Sequence, residues 1–251
     1  MATFGLIGYP LSHSFSRGYF TEKFQQLGLD DTHKYLNFEL TNINQFKKIL
    51  DEYSDLVGCN VTIPHKRAIM AVLDEVDPVA ERIGAVNTIL VRDRRTYGYN
   101  TDYLGFRDDL VHRMAEQGFS FARGRAALIL GTGGASLAVA EAFRSLGVPY
   151  TFVSRKPAVG QLSYGAVTAE VLATHTLLVN TTPLGMYPRV DAAPDINYEL
   201  LGPAHFCYDL IYNPAETTFM QRARGAGAQA ANGLGMLHQQ AEASWAIWTG
   251  E

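Results

Sequence analysis

The sequence predicts an α/β fold in two domains, with a parallel sheet in the second. Three observations predict it. Short apolar strands alternate with amphipathic helices along the chain, and a glycine-rich turn stands between an apolar strand and a helix at Gly131–Ser136. A helix marked by Tyr103, Phe106, Leu110 and Met114 then crosses from one half to the other. The 251 residues suit one large domain or two ordinary ones. Hydrophobic residues at 47% and charged residues at 18% supply a core and argue against disorder. A net charge of -4 without a Lys/Arg block argues against a nucleic-acid partner or an anionic membrane surface. Cys59 and Cys207 lie in apolar runs outside any C-x-x-C pair, so both are expected as buried, reduced thiols. No stretch reaches the roughly 18 apolar residues a membrane span needs. Met1–Tyr9 lacks a basic and long apolar leader, so the expected location is cytoplasmic.

The elements follow in order. Thr3–Ile7 is a short apolar strand, broken by Gly8-Tyr9-Pro10, and a helix begins near Ser14 and runs to Leu27 before Gly28. His33–Glu39 alternates as a strand. Ile43, Phe46, Ile49 and Leu50 recur at helical spacing, which predicts a helix over Asn42–Tyr53. Leu56–Thr62 is an apolar strand stopped by Pro64, and a helix starts around His65–Lys66 and ends before Asp74. Asp77 caps a short helix with Pro78 at its first position. Thr88–Arg92 is a strand, and Arg94–Asn100 returns from it. The crossing helix closes at Gly118, and Phe121–Gly124 is a link. Strand Ala126–Leu130, helix Ala135–Leu146 and strands at Tyr150–Val153, Leu177–Val179 and His205–Leu210 give the alternation of a parallel sheet with right-handed crossovers. Glu216–Arg224 and Met236–Trp248 have helical patterns.

The turn Gly131-Thr132-Gly133-Gly134-Ala135-Ser136 has the context of a dinucleotide site. Its glycines let backbone amides and a helix N-terminus approach a pyrophosphate. Ser136 stands where the general fingerprint has Gly or Ala, and it is small enough for close helix–strand packing. The next strand ends in Ser154-Arg155-Lys156, where an NAD site places an acidic residue for the ribose 2′-hydroxyl. Two cations and a hydroxyl suit a 2′-phosphate, which favours NADP.

Four segments place polar groups at strand or helix ends. They are Ser12-His13-Ser14-Phe15-Ser16, Asn60-Val61-Thr62-Ile63-Pro64-His65-Lys66, Gly84-Ala85-Val86-Asn87-Thr88 and Gly98-Tyr99-Asn100-Thr101-Asp102. Taken singly, the serines and Asp102 serve equally as N-caps, and Lys66 as a surface residue. The histidines beside these segments, His13 and His65, have the pattern of bystanders.

Taken in order, the segments resemble the shikimate dehydrogenase family. The resemblance covers almost the whole chain. It extends to Asn180-Thr181-Thr182-Pro183-Leu184-Gly185-Met186, to Tyr212-Asn213-Pro214 with Thr217, and to Gly233-Leu234-Gly235-Met236-Leu237 with Gln240-Ala241 and Trp248-Thr249-Gly250. Three places depart from the family pattern: Arg17, Tyr19-Phe20, and Ser154-Arg155-Lys156 in place of Asn-Arg-Thr.

The resemblance implies reversible, NADPH-dependent reduction of 3-dehydroshikimate to shikimate, within chorismate and aromatic amino-acid biosynthesis. It implies Lys66 and Asp102 as the catalytic pair. Ser14 and Ser16 would take the substrate carboxylate, and Thr62, Asn87 and Gln240 would share the ring hydroxyls with Lys66 and Asp102. For the cofactor it implies Gly131, Gly133, Gly134 and Ala135 at the pyrophosphate and Ser154, Arg155 and Lys156 at the 2′-phosphate. Tyr212 and Met236 would pack close to the nicotinamide, where Gly233 would leave room, and Thr181 would face the cofactor from the end of its strand.

It further implies a substrate domain over residues 1–103, rejoined by the last helix at 236–251. A Rossmann-like NADP-binding domain would span 104–235, with the active site in a cleft between the two. The expected partners are small molecules, without nucleic acid, membrane or metal, for a monomer or homodimer. Three rival readings are a quinate/shikimate dehydrogenase using NAD, a non-catalytic nucleotide-binding module, and a relative shifted to a substrate such as aminoshikimate.

Overall fold

The computed structural model describes residues 1–11, 15–119 and 125–251. The chain divides into two compact units, residues 1–101 with 241–251, and residues 102–240. Among the described residues no helix is long and apolar enough to cross a membrane.

In the first unit the elements are β1 (Ala2–Gly8), α1 (Phe15–Gln26), β2 (His33–Glu39), α2 (Phe46–Glu52), β3 (Leu56–Val61), β4 (Glu75–Val76), α3 (Pro78–Ile83), β5 (Thr88–Arg92) and β6 (Arg95–Tyr99). They build a six-stranded mixed sheet in the order β2-β1-β3-β5-β6-β4. β2, β1 and β3 are parallel, whereas β5 runs antiparallel to both β3 and β6. The β5–β6 hairpin turns through Asp93 and Arg94, both at positive φ, 50° and 61°, as a two-residue loop between right-twisted strands requires.

Side-chain alternation sorts the core. Ile7, Phe38, Cys59, Val61 and Ile89 go to one apolar cluster with Phe46 and Ile49 of α2. Phe4, Leu6, Tyr35 and Leu90 go to another with Phe20 and Phe24 of α1 and with Ala241, Trp245 and Trp248. The Trp248 indole donates to the Ile89 carbonyl at 2.9 Å, which fixes the C-terminal segment on the sheet.

The second unit contains α4 (Asp102–Glu116), β7 (Ala126–Leu130), α5 (Gly134–Ser145), β8 (Tyr150–Ser154), β9 (Leu162–Ser163), α6 (Ala169–Thr174), β10 (His175–Asn180), β11 (Phe206–Asp209), α7 (Thr218–Gly225) and β12 (Gln229–Asn232). Helix α8 (Leu234–Thr249) begins here and ends in the first unit. The sheet order is β12-β11-β10-β7-β8-β9, with every pair parallel. Counted within this unit the order is 3-2-1-4-5-6, the doubly wound arrangement. Both faces are covered, so the central strands are mostly apolar, with polar residues at their ends. Ala127, Ile129, Leu177, Val179, Phe206 and Tyr208 pack on the α4–α5 side. Leu128, Leu130, Leu178 and Cys207 pack on the other with Phe219 and Met220 of α7. Both cysteines are free and buried, and burial pushes both thiols up.

Several expectations are corrected. The helix expected between His65 and Asp74 is only a short 3-10 turn, Ala68–Val72. The Asp74 carboxylate accepts from the Thr96 amide and hydroxyl, both at 2.8 Å, and this draws the chain into β4. The helix expected over Asn42–Tyr53 opens as a 3-10 turn, Ile43–Gln45, with a reciprocal Asn42/Gln45 capping box. The sequence reading omitted β4, β9, α6 and β12, which are short and depend on neighbouring elements for pairing or packing. The link Phe121–Gly124 lies outside the described residues.

Truncation of Trp248 to Ala should cost about 3–5 kcal/mol, since it empties a fully packed aromatic site and orphans the Ile89 carbonyl. Urea unfolding followed by circular dichroism checks this.

Candidate active site

In the first unit, the polar segments are joined by side chains rather than merely adjacent. Asn87 is 3% exposed, and its Oδ1 accepts from the Thr101 amide at 2.6 Å while its Nδ2 donates to the Thr101 hydroxyl at 2.9 Å. Asn100 donates to the Ala85 carbonyl at 2.9 Å. The Lys66 carbonyl accepts from the Val86 amide at 2.8 Å. The segments that carry Lys66 and Asn87, and the segment that leads into Asp102, are therefore one hydrogen-bonded assembly. Thr62 is set at the end of β3 by its amide bond to the Ile7 carbonyl, 2.8 Å, and fills the space a side chain at Gly8 would take.

A second chain of polar groups lies under this one. The Tyr35 hydroxyl bonds to Ser16 and donates to Asn60 Oδ1 at 2.8 Å. Asn60 Nδ2 donates to the Ser244 hydroxyl at 3.0 Å, and Ser244 lies 2.8 Å from the Thr88 hydroxyl and 3.2 Å from that of Thr101. Ser16 sits in the first turn of α1, and Ser14 lies outside the described residues, as do Ser12 and His13. His65 is buried with its ring bonded to the Leu40 carbonyl, a structural role.

The departures from the family pattern have local explanations. Phe20 is buried and stacks on Tyr35 with ring centres 4.8 Å apart. The Tyr19 hydroxyl donates to Glu242, which also takes Lys23 at 2.7 Å. These contacts fasten α1 to the last turns of α8. Arg17 is exposed.

In the second unit Asp102 opens α4, and Gln240 is a buried residue of α8. A side chain at Gly105 would lie 2.6 Å from the Met236 carbonyl and 2.7 Å from the Gln240 amide. Glycine there lets the two helices meet one turn after Asp102.

The glycine turn stands at the point where the sheet order reverses, between β7 and β10. Gly131 has φ +109°, its amide donates to the Val153 carbonyl at 2.9 Å, and a side chain on it would meet the Thr181 hydroxyl at 2.9 Å. Thr181 is bound back to the end of β7, donating from its amide at 3.0 Å and its hydroxyl at 2.8 Å to the Leu130 carbonyl. Gly133 caps α5 without a side-chain bond, and open space surrounds Gly133 and Gly134. Ala135 is exposed on the same turn. This is the bare, amide-lined helix start that a pyrophosphate requires. Ser136 is fully buried, and its hydroxyl is spent on the Gly133 carbonyl at 2.6 Å, so it fits the close-packed third position.

The end of β8 lies beside this turn. The Ser154 hydroxyl accepts the Lys156 amide at 3.2 Å, with Arg155 and Lys156 exposed. Tyr212 is 44% exposed, and Met236 donates its amide to the Tyr208 hydroxyl. Gly233 has a packing reason of its own to be glycine. A side chain there would lie 2.2 Å from the Leu210 carbonyl, so the glycine is demanded by backbone packing against the end of β11.

Sequence reasoning missed Asp209, Tyr35 and Ser244. Asp209 is fully buried at the end of β11, and burial pushes its carboxyl up to about 6 against the opposing pull of bonds from Thr217, Ile211 and Asn180. Its signal was an acid at the carboxyl end of an apolar parallel strand, the end at which ligands bind.

A doubly wound parallel sheet with a bare glycine turn at its switch point, followed by a basic strand end, defines an NADP-linked oxidoreductase. Comparison with known proteins names the family. The family model of the shikimate dehydrogenase substrate binding domain matches residues 6–89. The NADP(+) shikimate dehydrogenase of Desulforamulus reducens is 35% identical, over 98% of this chain and 89% of its own length. That of Methanococcus maripaludis is 37% identical, over 98% and 91%. The crystal structure of shikimate 5-dehydrogenase from Thermus thermophilus in complex with NADP(H) and shikimate superposes with a TM-score of 0.83 at 32% identity, covering 100% of this chain and 94% of that one. The chain belongs to the shikimate dehydrogenase family.

Ser244→Ala should lower stability by about 1–3 kcal/mol, because Asn60, Thr88 and Thr101 lose a shared buried partner. Chemical denaturation of the variant against the parent reads this directly.

Proposed function

We propose that this protein reduces 3-dehydroshikimate to shikimate, reversibly and with NADPH, as a cytoplasmic monomer or homodimer. The observation that carries the reading is the hydrogen-bonded assembly of Lys66, Asn87 and the segment before Asp102, in a chain whose full-length relatives bear this activity. In this reading residues 1–103 with 236–251 hold the substrate, and residues 104–235 hold the cofactor.

The bound dinucleotide supplies the hydride to the ketone carbon. Negative charge then develops on the ketone oxygen, and the Lys66 ammonium stabilises it and gives up a proton at Nζ. Asp102 accepts a hydrogen bond from the nascent hydroxyl and orients Lys66. Ser14 and Ser16 hold the ring carboxylate, and Thr62, Asn87 and Gln240 bind the ring hydroxyls. Asn87 is already fixed by Thr101 and Thr88, so its amide is presented without a rotamer search. A site built from such fixed polar groups rejects an analogue lacking one hydroxyl, because a buried group is then left unpaired.

Gly133, Gly134 and Ala135 bring their amides to the pyrophosphate. Ser154, Arg155 and Lys156 take the 2′-phosphate, and an uncharged 2′-hydroxyl would find no carboxylate acceptor among them.

Lys66→Ala should lower turnover by about a thousandfold or more while NADPH binding is retained. Near-normal turnover in that variant contradicts the assignment. Arg155→Ala should raise the NADPH dissociation constant by about tenfold or more and leave that for NADH nearly unchanged. Equal losses for the two would remove Arg155 from 2′-phosphate recognition.

A further inference from the structure

Asp209 ends a strand whose other residues are apolar, and no cation is bonded to it among the described residues. A carboxylate buried on such terms is costly, so its bonds deserve a cause. Its Oδ1 accepts from Asn180 Nδ2 at 3.1 Å and from the Ile211 amide at 3.0 Å. Its Oδ2 accepts from the Thr217 hydroxyl at 2.6 Å. These donors stand on two different loops. Asn180 ends β10, and its Oδ1 takes the Thr182 amide at 3.0 Å and hydroxyl at 2.7 Å, so Thr181 is held between two tethered neighbours. Ile211 and Thr217 bracket the segment that contains Tyr212, and Thr217 also caps α7. Donors facing one point from two loops require an acceptor with more than one lone-pair direction, which a carboxylate supplies.

We propose that Asp209 is a positioning residue of the cofactor half-site. Its carboxylate ties the loop after β10 to the loop after β11 and so sets the separation of Thr181 and Tyr212 against the dinucleotide. The inference rests on the reading that these two residues line the cofactor.

Protonation gives the device a pH dependence. Burial raises the carboxyl to about 6, so the charged form costs stability above that pH, and the cost is relieved on acidification toward the ordinary carboxylate range. Acidification also converts one acceptor oxygen into a donor, opposite partners that are themselves donors. The titratable groups facing Asp209 are Cys207 of its own strand and Tyr198. Burial keeps both neutral, and Arg222 of α7 stands over the Tyr198 ring at 5.5 Å. β10 and the α7 start present the neutral Asn180 and Thr217.

The test is calorimetric titration of NADP+ into the full-length protein at about pH 5.5 and about pH 8, which straddle the shifted carboxyl. Asp209→Asn, Thr217→Val, Thr217→Ser, Thr181→Val and Tyr212→Ala are compared with the parent, each checked for folding by thermal unfolding. Asp209→Asn and Thr217→Val should bind NADP+ about tenfold more weakly at the higher pH, with Thr217→Ser restoring affinity and KM for shikimate little changed. The parent should lose more affinity on acidification than Asp209→Asn does. The slope that remains in the variant belongs to the cofactor's own 2′-phosphate, whose second pKa is about 6.

Parent-like binding by Asp209→Asn and Thr217→Val, alongside weakened Thr181→Val and Tyr212→Ala, overturns the positioning role and leaves the lining intact. Parent-like binding by Thr181→Val and Tyr212→Ala overturns the lining and the proposal together. Should Asp209→Asn fail to fold, the Thr217 pair decides, and parent-like binding by Thr217→Val overturns the proposal.

Discussion

The second unit depends on one backbone turn. Gly131 leaves β7 at φ +109°, with Thr181 pressed so close that a methyl group would collide with its hydroxyl. The turn lies where the sheet order reverses, and there the chains on either side depart to opposite faces and leave a crevice. Once it is made, Gly133 and Gly134 open α5 with bare amides, and the end of β8 delivers Arg155 beside it. The proposed phosphate site would thus be a property of topology first and of side chains second.

The first unit solves a different problem. In the function proposed, a small polyhydroxylated acid offers little apolar surface, so its binding would come from polar groups that are already ordered. Asn87, Thr88, Thr101, Asn60, Tyr35 and Ser244 supply that order as a buried network, drawn from β2, β3, β5 and α8. Such a network is stabilising only when each member is satisfied, and here each hydroxyl or amide has a partner in the network. The end of the C-terminal helix is consequently a component of the first unit: Ser244 enters the network, and Trp248 locks the same helix to β5.

Much of this was legible in the sequence because its signals are local. β7 was readable from an unbroken apolar run, and α3 from Asp77-Pro78 at one end and Gly84, φ +71°, at the other. The glycine turn was readable from its flanking strand and helix. The losses share a cause. β4 and β9 are two residues long and exist because a neighbouring strand pairs with them, a long-range fact with no local periodicity. The segment after Lys66 carried apolar residues at helical spacing, yet Asp74 prefers Thr96 across the sheet. Ser244 and Tyr35 looked like ordinary helix and strand residues, and only their meeting at Asn60 gives them a role. The close approach of Gly233 to the Leu210 carbonyl likewise has no local signal.

In the function proposed, ordered polar groups in one unit select shikimate while a basic strand end in the other selects NADP. Steady-state oxidation of shikimate and of quinate, each with NADP+ and with NAD+, tests it most directly by absorbance of the reduced cofactor. Strong turnover is expected with shikimate and NADP+, and little with the other three pairs. Comparable turnover on quinate or with NAD+, or none on shikimate in a folded protein that binds NADPH, would contradict it.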